Sequence, residues 1–144
     1  YFNVFGPNQN AAGPYAAVIP IFVNNILQNK DCLIYGDGSN RRDFTFVDNV
    51  VQANLLAAQT ENTEAYGEVF NIAYGATKSI NHLFEEIKTK MNVTTDVKYM
   101  PPRVGEIKDS FADIGKAEKF LGYKPLVDLS EGITRTIDWY KSQY

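Results

Sequence analysis

The 144-residue chain has one cysteine, one histidine, one tryptophan and two methionines. Each scarcity excludes something. A lone thiol, Cys32, cannot close an internal disulfide, so a cross-linked secreted scaffold is ruled out and a reducing, cytoplasmic setting is expected. A single imidazole, His82, with no cysteine or carboxylate cluster near it, offers no metal-binding set. No apolar run approaches the roughly 20 residues that cross a bilayer. The net charge of -3 supplies no basic field, so no nucleic acid or membrane partner is expected. The first residues have neither the basic stretch nor the cleavage site of a secretory signal. Repeats and low-complexity tracts are absent. Asn92-Val93-Thr94 matches a glycosylation acceptor, read as chance in this setting.

What is present suits one domain with a real core: 44% hydrophobic and 22% charged residues. Helical and strand patterns alternate, which points to an α/β fold. The apolar stretch from Pro14 to Lys30 predicts a helix with Pro20 near its first turns. Cys32 to Tyr35 predicts a strand closed by the turn Gly36-Asp37-Gly38. Arg41 to Val47 alternates, with Arg42, Phe44 and Phe46 on one face and Arg41, Asp43 and Thr45 on the other. Val47 to Gln59 predicts a helix, and Glu68 to Tyr74 another strand. Ile80, Leu83, Phe84, Ile87 and Met91 fall at helical spacing behind a Ser79 N-cap. Val97 to Met100 is a short strand, Ile114 to Leu121 a short helix. A last helix starts with the capping box Asp128/Glu131 and carries the stripe Leu129, Ile133, Ile137, Tyr140.

Some residues carry chemistry. Arg42 follows a Gly-rich turn and Arg103 follows Pro101-Pro102; a guanidinium fork suits the oxygens of a pyrophosphate. Taken alone, Arg42 reads more often as a strand-face cation paired with an acid, Arg103 as a solvated charge and Tyr35 as packing, and Asn3 could simply cap the turn after it. Gly36-Asp37-Gly38 is only a turn, since a dinucleotide fingerprint needs G-x-G-x-x-G between strand and helix. Cys32 reads as a buried, inert thiol and His82 as solvent-facing.

Five segments occur in one order: Tyr1-Phe2-Asn3-Val4-Phe5-Gly6-Pro7; Ala17-Val18-Ile19-Pro20; Tyr35-Gly36-Asp37-Gly38 with Arg41-Arg42-Asp43-Phe44-Thr45-Phe46-Val47-Asp48; Val69-Phe70-Asn71-Ile72-Ala73; and Arg103-Val104-Gly105-Glu106. Together they resemble the C-terminal half of the extended short-chain dehydrogenases/reductases, the NAD-dependent nucleotide-sugar epimerases, dehydratases and decarboxylases. Within that family the likeness is greatest to bacterial UDP-N-acetylglucosamine 4-epimerases. The resemblance implies a substrate-binding lobe plus terminal strands and a helix of a Rossmann domain, with residues 1–144 as the C-terminal part of a larger protein whose NAD-binding part is absent.

It further implies that Arg42 and Arg103 clamp the pyrophosphate and that Glu106 bonds ribose hydroxyls, at a position more often Asp. Tyr35 would lie beside the uracil and Val18 at the uracil edge. Asn3 would stand near phosphates and sugar, and Tyr1 near the nicotinamide end of NAD. Ser110 would face the C2 substituent of the sugar, where a small residue leaves room for an N-acetyl group, hence UDP-GlcNAc and UDP-GalNAc. The family reaction resembles a hydride shuttle at C4 between sugar and NAD, with a Tyr-x-x-x-Lys pair moving the proton. The chain is read as lacking both that pair and the Gly-rich fingerprint, so no catalytic residue is expected in it. The isolated chain is expected to be inactive and to bind NAD poorly. It is also expected to self-associate, or to be partly disordered, where Rossmann elements lose their cover. A dTDP-glucose 4,6-dehydratase, a UDP-glucuronate decarboxylase and a non-catalytic nucleotide-sugar-binding or interaction module are the alternatives.

Overall fold

The structure, a computed structural model, describes residues 1–12 and 17–143. Short strands alternate with amphipathic helices. β1 (Val4–Phe5) leads to α1 (Val18–Leu27), β2 (Cys32–Tyr35), β3 (Arg41–Arg42) and β4 (Thr45–Phe46). α2 (Val47–Gln59) follows directly, then a 3-10 turn at Thr63–Ala65. The second half holds β5 (Lys78–Ser79), α3 (Ile80–Met91), β6 (Val97–Met100), β7 (Asp109–Ser110), α4 (Gly115–Leu121) and α5 (Leu129–Lys141). The α/β architecture is as expected, and the pairing is largely parallel: β1 with β4, β2 with β6 and β3 with β7. β5 joins the other edge of β3 in antiparallel fashion.

The helix ends follow from local chemistry. Pro20 sits in the first turn of α1, where its missing N–H has no partner to lose. Of the helix expected from Pro14, residues 14–16 lie outside the described residues. Its far end comes at Leu27 rather than Lys30, because Asn29 enters the left-handed region at φ 54. Ser79 caps α3 as expected, its hydroxyl accepting the His82 N–H at 3.1 Å. Asn92, in the left-handed region, ends the same helix. The capping box of α5 is only half formed. Asp128 accepts the Glu131 N–H at 2.8 Å, but the Glu131 carboxylate turns to Arg135 one helical turn on.

The main core lies among α1, β2, α3 and α5. Phe22 of α1 meets Phe84 of α3 edge to face at 5.4 Å, and the α5 stripe Leu129, Ile133, Ile137 and Tyr140 is buried throughout. Phe5 and Phe46 pack edge to face beneath α5 at 5.6 Å. Gly132 permits that approach: a Cβ there would stand 2.8 Å from both rings. A second cluster, Val50, Ala53, Ile72, Ala117 and Tyr123, fills the space between α2 and α4.

Two expected strands differ from what is observed. Arg41 to Val47 is not one alternating strand; it divides into β3 and β4, which belong to different sheets. Asp43 and Thr45, placed by alternation on the face opposite Phe44 and Phe46, are buried, and so are Phe44 and Phe46. Asp43 is buried because its carboxylate accepts the backbone N–H groups of Tyr74 and Gly75 at 3.0 and 3.1 Å. Segment 68–74, expected as a strand, forms no ladder. It is held largely by side chains instead, Asp43 at one end and the Tyr123 hydroxyl on Ala73 O at 2.8 Å, with backbone bonds from Phe2 N–H to Ile72 O and from Glu68 N–H to Ala65 O.

Candidate functional site

One cleft of about 450 Å³ opens between α1, β2, β3 and the loop after β6. That volume suits a small organic ligand. Asn3, Val18, Tyr35, Arg42, Arg103 and Glu106 all line it. These six residues are scattered over a hundred positions of sequence, and the fold brings them to one place.

Each arrives by a local device. Val18 opens α1, and Ile21, Phe22 and Asn25 follow it on the same helical face into the cleft. Tyr35 ends β2, where Gly36 and Gly38 at φ 75 and 72 turn the chain toward β3. That turn is pinned from α3: Asn81 donates its amide to Asp37 O at 2.9 Å and accepts the Tyr99 hydroxyl at 3.1 Å. Arg42 is carried on β3, whose parallel partner β7 sets Arg42 beside Ser110. Arg103 and Glu106 share one tight turn. The Glu106 N–H closes on Arg103 O at 3.3 Å, and Gly105 supplies the positive φ of 80 that such a turn requires.

The charges are arranged in pairs. The Arg103 guanidinium lies over the Tyr35 ring, 3.7 Å from its centre, a cation–π contact. One edge of Arg42 is held by backbone, its Nη1 donating to Arg41 O at 2.8 Å and Lys108 O at 3.2 Å. Its Nη2 faces the Glu106 carboxylate at 3.8 Å. The strand-face reading of Arg42, a cation paired with an acid, is therefore met, and the acid is itself a cleft residue. Asn3 sits at φ 37, a conformation asparagine tolerates. Its amide donates to Asp43 O at 3.0 Å, which ties the β1 approach to the β3–β4 connection. Beyond Arg103 and Glu106 a second, open recess runs past Tyr99, Met100, Pro102 and Lys108.

Two expected site residues lie elsewhere. Ser110 is on β7, half-buried and outside the walls of the cleft. Tyr1 is exposed and donates its hydroxyl to Asn54 of α2 at 2.8 Å. Tyr-x-x-x-Lys does occur once, as Tyr74-Gly75-Ala76-Thr77-Lys78, which corrects the reading that the chain lacks it. The pair spans a turn at Gly75 (φ 84) and the start of β5, not a helix. It does not share the helical face that sets side chains at i and i+4 side by side.

Among the described residues no glycine-rich turn links a strand to a helix N-terminus, and the hydroxyl of Tyr1 is engaged by Asn54. Burial, reinforced by Asp31, pushes the Cys32 thiol from 9.0 to about 11, so it stays protonated at neutral pH. His82 is exposed, 3.6 Å from Glu86, and no metal-binding group of side chains occurs among the described residues. Among the described residues no helix is long and apolar enough to cross a membrane.

Sequence reasoning missed the apolar wall and the props behind it. Ile21, Phe22 and Asn25 were legible, since with Val18 they fall at i, i+3, i+4 and i+7 of one helix. Asp43 and Asn49 were not. Asn49 is fully buried, its Oδ1 accepting from Leu126 and Val127 N–H at 2.9 and 3.0 Å and its amide donating to Val127 O at 2.8 Å. Nothing in the α2 pattern marks it.

The NAD dependent epimerase/dehydratase family model matches residues 1–73. A putative UDP-glucose 4-epimerase of Methanocaldococcus jannaschii is 42% identical over 142 residues, 99% of this chain and 44% of that protein. Among solved structures, a UDP-N-acetylglucosamine 4-epimerase from Methanobrevibacter ruminantium M1, in complex with UDP-N-acetylmuramic acid, superposes with a TM-score of 0.92 at 43% identity, covering 100% of this chain and 45% of that one. The UDP-glucose 4-epimerase of Thermotoga maritima with UDP-glucose gives a TM-score of 0.92 at 38% identity, covering 99% and 45%. Nucleotide-sugar decarboxylases and dehydratases are also among the relatives. The chain thus spans less than half the length of the proteins it matches. With half of its residues under the family model and its fold shared from end to end, the chain belongs to the NAD dependent epimerase/dehydratase family.

Proposed function

We propose that this chain is the nucleotide-sugar-binding part of an NAD-dependent UDP-sugar 4-epimerase. The observation that carries the reading is the convergence of Asn3, Val18, Tyr35, Arg42, Arg103 and Glu106 on one cleft. Its chemistry suits a nucleoside diphosphate. Arg42 and Arg103 offer two guanidinium groups to a pyrophosphate, Tyr35 and the α1 face offer an apolar seat for a base, and Glu106 offers an acceptor for ribose hydroxyls. In this reading the chain binds and orients the substrate, and residues 1–144 make up the C-terminal, substrate-binding part of the enzyme. NAD would supply the hydride chemistry in the whole protein. The isolated chain neither epimerises nor holds NAD.

UDP-GlcNAc and UDP-GalNAc are the proposed substrates, on the small side chain of Ser110. Because Ser110 lies outside the cleft wall, its influence would begin only where a sugar extends past Arg42 toward β7. A dehydratase or decarboxylase of the same family is the second reading, favoured by the presence of both among the relatives.

Titration of the chain with UDP, followed by calorimetry, tests the reading. Saturable binding is expected, weakened on the order of tenfold or more by Arg103→Ala, which loses both phosphate charge and the lid over Tyr35. Binding indifferent to Arg103 and Arg42 would sink it.

A further inference from the structure

Glu106 occupies an unusual place for a ligand-binding carboxylate. Its carboxylate lies 3.8 Å from Arg42 Nη2, which no backbone carbonyl engages among the described residues. Nη1 of the same guanidinium is held by two carbonyls, Arg41 O and Lys108 O, which favours the orientation that faces Nη2 toward Glu106. At 3.8 Å the contact is an ion pair without a hydrogen bond. Both groups are largely covered, with side-chain exposures of 16% for Arg42 and 30% for Glu106, so the pair is less screened than a surface pair. Glu106 also borders the open recess that Lys108 lines, which gives its carboxylate somewhere to go. An anion approaching Arg42 therefore meets a resident negative charge, and that charge has a neighbouring exit.

We infer that Glu106 makes the cleft selective for ligands that join a phosphate to neighbouring hydroxyls, by holding the phosphate's place on Arg42 until a hydroxyl-bearing ligand draws it off. The inference rests on the nucleotide-binding reading above and adds a specificity-determining role to it. A bare inorganic anion must displace the carboxylate and leaves it facing the anion unbonded, which costs both the ion pair and a like-charge repulsion. A nucleoside diphosphate displaces the same carboxylate but supplies ribose hydroxyls as donors to it, so the exchange is compensated. Selectivity then comes from the carboxylate's exclusion of the wrong ligand as much as from its attraction of the right one.

The test is a pair of titrations, with UDP and with inorganic pyrophosphate, on the chain and on Glu106→Gln. Glu106 closes the turn that starts at Arg103, and a matched thermal midpoint checks that the variant folds. Glu106→Gln is expected to bind pyrophosphate on the order of tenfold more tightly while UDP affinity holds or falls, so the preference for UDP collapses. Unchanged pyrophosphate affinity in Glu106→Gln, in a chain that binds UDP through Arg42, overturns the inference and leaves the site standing. Failure of both chains to bind either ligand overturns the site reading and the inference with it.

Discussion

At the scale of single residues, the contrast between Asp43 and Arg42 is instructive. Both sit in the run Arg41-Arg42-Asp43, and a sequence reader looks to the arginine for function. Arg42 reaches the cleft, but Asp43 does the structural work behind it. Its two carboxylate oxygens each accept one backbone N–H, from Tyr74 and from Gly75. Burial pushes its pKa up, and the backbone N–H groups oppose that shift without cancelling it. Asp43→Asn keeps the shape but sets an NH₂ against one of those N–H donors. It is expected to destabilise the chain by about 1–3 kcal/mol in chemical denaturation, even though it removes a buried charge. A stabilised Asn variant would show that charge burial outweighs the two bonds. Asp43 was illegible because strand alternation only sets it on the face opposite Phe44 and Phe46 and does not say whether that face is covered. Only the long-range partner at 74–75 reveals that the face is closed.

At the scale of elements, amphipathic spacing and caps were the legible part. α2, α3 and α5 lie where their apolar spacing places them, and β2 matches its four apolar residues from Cys32 to Tyr35. The short strands were the illegible part. β1, β3, β4, β5 and β7 are two residues each, too short for any period to show, and segment 68–74 has strand composition but forms no ladder among the described residues. Helix–sheet contact gives the clearest element-level expectation. Gly132 is the fourth residue of α5, and inside a helix glycine costs roughly 1 kcal/mol against alanine in propensity. Gly132→Ala should nevertheless lower the thermal midpoint, by about 1–3 kcal/mol of stability, since its methyl would drive into Phe5 and Phe46. A raised midpoint would mean that α5 can move away from β1 and β4 at little cost. The cleft itself shows the same division. Its arginines were legible from their positions after a Gly-rich turn and a Pro-Pro pair, whereas the distance of Ser110 from it depends on β7, which has no sequence signature.

At the scale of the whole molecule, one face stands out. Val51 and Leu55 project from the outer side of α2 at 51% and 55% exposure, near Tyr1, which is tied to Asn54 between them. Exposed Tyr66 and Val69 follow in the chain. Exposed apolar side chains of this kind favour association, and we propose that copies of the chain pair through the outer side of α2. Sedimentation velocity should show concentration-dependent dimers that Leu55→Lys abolishes; a monomer at all concentrations would refute the pairing. The cleft has a different consequence for the whole chain. Its walls come from positions 3, 18, 35, 42, 80 and 106, so they meet only after the longest loops have closed. A refolding chain has no cleft to offer at its early stages. A bound nucleotide must therefore act on the return journey alone: it slows the rate at which the native chain opens and leaves the rate of folding where it was.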